Sequence, residues 1–98
     1  MNKIKTFVID GEKFNDIEGF YDEVVKILAP GFKDFGRNYD AFDDILYGGE
    51  DSFDFEEKIN LIWKNCEKSM RELPSEFLRI ILEIIKNHKH HIKFKIER

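Results

Sequence analysis

The sequence predicts a single α/β domain, a three-stranded parallel sheet packed with about four helices. Three observations carry that prediction. Runs 4–9, 59–63 and 92–96 are short and rich in β-branched and aromatic residues, as strands are. Two stretches of helical apolar spacing separate each run from the next. Helical crossovers of that kind imply parallel pairing with right-handed connections. A chain of 98 residues buries one core and rarely splits, so the domain spans 1–98.

Taken in order, the first strand closes at Asp10-Gly11, a turn signal. Asn15, with Glu18 three residues later, reads as a capping box. Ile17, Phe20, Tyr21, Val24, Val25 and Leu28 then follow helical spacing until Pro30-Gly31 stops them. Asn38 is placed to cap a second helix that ends at Gly48-Gly49. The loop 50–57 is polar, with Phe53 and Phe55 as its only apolar residues. After the second strand, Asn65 is placed to cap a brief helix through Met70, and Pro74 breaks the chain before a longer one from Ser75 or Glu76. In that last helix seven apolar residues cover most of the circumference. Only Glu76, Arg79, Glu83 and Lys86 form a polar stripe, which predicts the most buried helix of the fold. The third strand alternates Lys93 and Lys95, as expected at a sheet edge. There is no internal repeat and no low-complexity segment.

Composition narrows the class. A hydrophobic fraction of 42% with ten Phe excludes a disordered chain. No apolar run approaches the roughly 20 residues that span a bilayer, and the N-terminus lacks the features of a signal peptide. Cys66 is alone, which fits a reducing compartment and an inert thiol. The expectation is a soluble cytoplasmic protein. Net charge is −4, unevenly spread. Residues 34–57 hold nine acids against one base, Arg37, leaving fifteen bases and eleven acids elsewhere. Phosphate binding needs clustered Lys and Arg instead, so direct nucleic-acid binding through the acidic segment is not expected and a basic partner is the natural complement.

The second helix concentrates that charge. At about 3.6 residues per turn, Asp40, Asp43 and Asp44 fall on one side, and Tyr39, Ala41, Phe42, Ile45 and Leu46 on the other. Asp is a poor interior helix former, and like charges at i,i+4 repel. An acidic helix face is usually solvated surface; one carried at that cost can also be a display to a partner. Tyr47 lies on the acidic side, where an interface anchor and a partly packed ring both fit. Asn38 is explained as a cap, and Trp63 and the Phe residues as core.

Gly36, Asn38, Asp40, Ala41, Asp44, Leu46 and Gly48 make up the pattern G-x-N-x-D-A-x-x-D-x-L-x-G. With Val8-Ile9-Asp10-Gly11 and Leu61-Ile62-Trp63, this resembles the barstar family of intracellular ribonuclease inhibitors over nearly the whole chain. The resemblance implies a protein that binds a small basic ribonuclease one-to-one, plugs its active site, and is a monomer when free. It implies that Asp40 and Asp44 face the nuclease. Gly36 and Asn38 would shape the loop entering the helix, and Gly48 the turn after it. A Glu on the last helix, for which Glu83 is nearest, would join them. Where some relatives carry aromatic side chains, this chain has Asp34 and Asp43, which leaves the target nuclease open.

An RNase site gathers Arg, Lys and His around a phosphodiester. Carboxylates can satisfy the same donors, Arg pairing often being bidentate. On this reading Asp44 is the central group, Asp40 its neighbour, and Asp43, Asp34 and the loop acids supply long-range attraction. The alternative is an interaction module that keeps the scaffold and binds another basic protein. A hydrolase using Asp40 and Asp44 fits poorly, because acid–base pairs flank a cleft with separated pKa values. His88, His90 and His91 lie close in sequence, but neighbours on a turn are expected to diverge, and a metal site needs three or four convergent ligands. The acidic loop lacks EF-hand spacing. Neither a cofactor nor a metal is expected.

Overall fold

The structure is a computed structural model that describes residues 4–32, 35–49 and 53–98. Asp34, Glu50 and Asp51, which belong to the acidic stretch of the sequence, lie outside the described residues. Three strands, β1 (Lys5–Asp10), β2 (Ile59–Lys64) and β3 (Ile92–Ile96), pair in the order β1-β2-β3, all parallel. Helices α1 (Ile17–Leu28) and α2 (Tyr39–Ile45) connect the first two strands. Helices α3 (Cys66–Glu72) and α4 (Ser75–Lys86) connect the last two. A three-stranded parallel sheet with four helices was the expected class.

Register sets the two faces of the sheet. Phe7, Leu61 and Phe94 align across the strands, as do Ile9, Trp63 and Ile96. Their face, with Ile59 and Ile92 and apart from the exposed Ile96, joins the core that the helices cover. On the other face Asn60 hydrogen-bonds Thr6, and Lys93 and Lys95 are exposed or nearly so. Phe20 of α1 sits at the centre of the core. Its ring stacks on Trp63 at 5.3 Å and meets Phe14, Phe42 and Phe77 at 5.6 Å each. Trp63 spends its one donor on the buried Ser69 hydroxyl at 3.1 Å, so the indole is satisfied within α/β packing.

Four local details differ from expectation. The cap of α1 is Asp16, whose carboxylate accepts from the Gly19 N–H at 2.7 Å, and not Asn15. A 3₁₀ turn, Gly11–Lys13, follows β1 directly, its amide at Glu12 held by the Asp10 side chain. Asn65 precedes α3 in the left-handed region (φ 55°) without capping it; its amide instead donates to Asp10 at 2.9 Å. That bond and the Glu12 amide hold the Asp10 carboxyl below its usual range. Finally, α4 is not the most buried helix. Phe77, Leu78, Ile81 and Ile85 are inside, but Ile80, Leu82 and Ile84 are only half-buried. The sheet is three strands wide, and a helix packed against one side of it has one inward stripe however apolar the rest is.

Candidate acidic interface

Helix α2 is short, so its ends decide its placement. Asn38 caps it by accepting from the Ala41 N–H at 2.8 Å, and its amide donates back to the Gly36 carbonyl at 2.9 Å. The entering loop is thereby closed on itself. Phe42 and Ile45 turn inward, Phe42 fully buried against Phe20, and Tyr39 stacks on Phe77 of α4 at 5.9 Å. At the far end Gly48 has φ +99°, and a Cβ there would lie 2.6 Å from the Phe53 carbonyl. Both the backbone conformation and the close approach require glycine. The chain then zips onto the following loop: Gly49 N–H donates to Phe53 O at 2.7 Å, and Glu56 N–H to Tyr47 O at 2.8 Å.

The outer face carries the three acids, in two different states. Asp40 and Asp44 are exposed, and among the described residues neither has a hydrogen-bond or ion-pair partner. Arg37, the one base in the acidic stretch, turns away from them to pair with Asp22 and Glu18 of α1. Asp40 lies in the first turn, where the helix dipole favours an anion. Asp44 lies in the last turn, which carries no basic residue, so the dipole works against it. Asp43 is different. Its side chain is 43% exposed and accepts from Nε2–H of His88 at 2.6 Å.

That partner was not anticipated. The three histidines do not diverge. Ring centroids of His88, His90 and His91 lie 4.4 to 6.3 Å apart, with His88 and His91 buried. His91 donates Nε2–H to the Leu46 carbonyl at 2.8 Å, just past the end of α2. Its Nδ1 is then the acceptor, taking the Nε2–H of His90 at 2.9 Å. His88 and His91 therefore hold the C-terminal end of α2 against the turn before β3. Among the described residues no three His, Cys, Asp or Glu side chains are gathered to hold a metal. Cys66 is buried, which pushes its thiol above the ordinary value.

Tyr47 is half-buried. It meets His88 edge-to-face at 4.6 Å, and stacks on Phe55 at 5.6 Å with 13° between the planes. Glu83 is exposed on α4 and reaches Arg79 at 3.5 Å, on a different helix from the other named acids. The structure thus brings Asp40, Asp43 and Asp44 together on α2, with Asn38 capping its start, Tyr47 and Gly48 in the chain just after it, and Glu83 on the neighbouring α4. His88, His91 and Phe55 were missed as parts of this region. The signal for the histidines was their spacing before a strand. Nothing in the sequence pointed to the partner they would find 45 residues earlier.

Residues 4–96 match the protein-family model described as Barstar (barnase inhibitor). No curated protein matches the chain.

Proposed function

The chain belongs to the barstar family, and from that premise we propose that it inhibits a small basic ribonuclease by seating α2 in the nuclease's active site. The family is one of inhibitors, so a ribonuclease partner in general comes with membership. The observation that supports the finer reading is the state of Asp40 and Asp44. Two carboxylates one turn apart project from a capped helix and lack a partner among the described residues. A nuclease site that holds a phosphodiester with Arg, Lys and His offers the missing donors. Asp44 is the central group, because it bears the unfavourable dipole end and has most to gain from a cation. Asp40 supports it. Asn38 and Gly48 fix the two ends of the helix, and Tyr47 rims the contact. Asp43, already engaged by His88, fixes the helix more than it meets the partner, and Glu83 stands at the periphery. The carboxylates act as ligands, so no catalysis is implied. The chain works as a monomer in a one-to-one complex inside the cell that makes it, as immunity against a toxin.

The test is inhibition. Purified protein is added to a panel of small basic ribonucleases, barnase and any encoded beside this chain included. Cleavage of RNA by at least one should stop near equimolar ratio, with an association rate that falls steeply with salt. No inhibition across the panel refutes the reading. A module for another basic protein is the second reading, favoured by Asp43 standing where some relatives are aromatic and being tied inward to His88. Capture of a basic protein without nuclease activity would support it.

A further inference from the structure

Phe55 is 71% exposed, the most exposed large apolar side chain among the described residues. It is nonetheless not loose. Its inner face stacks nearly parallel on Tyr47, and Tyr47 in turn meets the buried His88 ring edge-to-face and lies nearly parallel to the His91 ring. Glu56, next in the chain, has φ +57°, a left-handed conformation that a non-glycine residue adopts at some cost. Its N–H is held by the Tyr47 carbonyl, which keeps the turn and presents Phe55 outward. The result is an aromatic plate whose outer face is open. Acidic residues lie close to it along the chain. Glu56 adjoins it, Asp54 is exposed on the same turn, and Asp44 lies one helical turn before Tyr47, whose N–H bonds its carbonyl. Nε2 of His90 stands 3.7 Å from Glu56 and is spent as donor to His91.

We propose that this plate, Phe55 over Tyr47, receives an arginine side chain of the basic partner, a second contact outside α2. The proposal rests on the inhibitor reading only for the partner being basic. An electron-rich ring face with acids at its rim selects a cation over an anion, and disfavours an anionic membrane. A flat guanidinium is preferred to an ammonium, because it lies along the ring while its edge N–H groups reach Glu56 or Asp44. An exposed aromatic held rigid loses little freedom on contact, the property that makes such residues anchors.

Capped hexa-arginine and hexa-lysine peptides, equal in charge, are titrated into the full chain at low salt by calorimetry and NMR. Wild type should bind hexa-arginine about fivefold more tightly, with the Phe55 and Tyr47 ring signals shifting most. Phe55→Leu keeps an exposed apolar side chain but removes the ring face, and should bring the two peptides to equal affinity. Phe55→Trp should retain the preference. Asp44→Asn should weaken both peptides together. Equal binding of the peptides by wild type, or a preference that survives in Phe55→Leu, overturns the proposal. So does a dimer of the free chain that Phe55→Leu disperses, since the plate would then be a self-contact. A failed nuclease panel with the arginine preference intact refutes the inhibitor reading alone, and the reverse result refutes the plate alone.

Discussion

Helices α2 and α4 lie against each other, yet they treat their acids in opposite ways. On α4, Arg79 sits between Glu76 and Glu83 and reaches both, at 2.5 and 3.5 Å. Arg79 holds the Glu76 carboxyl below its ordinary range. Helix α3 does the same with Lys68–Glu72 and Arg71–Glu67. These are surfaces that balance themselves, the ordinary way for a helix to remain solvated. On α2 the i,i+4 partner of Asp40 is another acid, Asp44, and the one local base has been drawn off to α1. The contrast separates an acidic surface from an acidic display. Count and exposure of acids do not distinguish them. Whether the molecule answers its own charge does.

If α2 is a display, something other than its polar face must hold it. Phe42, fully buried against Phe20, is the main inward contact. Phe42→Ala should cost about 3–5 kcal/mol of stability by urea unfolding. A loss below about 1 kcal/mol would mean the helix is held elsewhere, by its histidine seat for example. The next largest effect is on binding. Asp44→Ala should weaken the nuclease complex by about 2–5 kcal/mol, the range for truncating one partner of a buried charge pair, for which barnase–barstar is itself a measured example. Glu83→Ala, which removes an acid already answered by Arg79, should cost well under about 1 kcal/mol and act mainly on the association rate. Equal effects would erase the distinction between the two helices.

Much of this was readable in advance, for identifiable reasons. Strand positions, the Asn38 cap and the Gly48 stop are local consequences of residue type, and each could be read from a window of a few residues. The capping residue of α1 was displaced by one, because Asn15 and Asp16 are both competent caps and only packing chooses between them. The burial of α4 was overestimated because composition reports how apolar a helix is, not how much sheet is available to cover it. The state of Asp43 was out of reach altogether. Its helix face marks it as equivalent to Asp44, and only the meeting of α2 with the turn before β3 makes it the partner of a buried imidazole. Helical spacing decides which acids share a face, and tertiary contact decides which of them are already spoken for.

Those two neighbours provide the sharpest test, since loss of the carboxylate should move stability in opposite directions. Asp43 accepts from His88, a ring only 2% exposed whose Nδ1 already has no partner among the described residues. Asp43→Ala would leave both ring nitrogens unanswered in a buried site, at a cost of about 1–3 kcal/mol. The Asp44 carboxylate accepts from nothing among the described residues, repels Asp40 and opposes the dipole. Asp44→Asn should therefore raise stability by about 0.3–1 kcal/mol, read as a higher urea midpoint with unchanged slope. The same variant should lose affinity for the nuclease. Gain of stability with loss of binding, in one substitution, is the signature of a residue kept for its partner. If Asp44→Asn instead destabilises the free chain, the carboxylate has an internal role, and α2 would belong with α4 as a surface that balances itself.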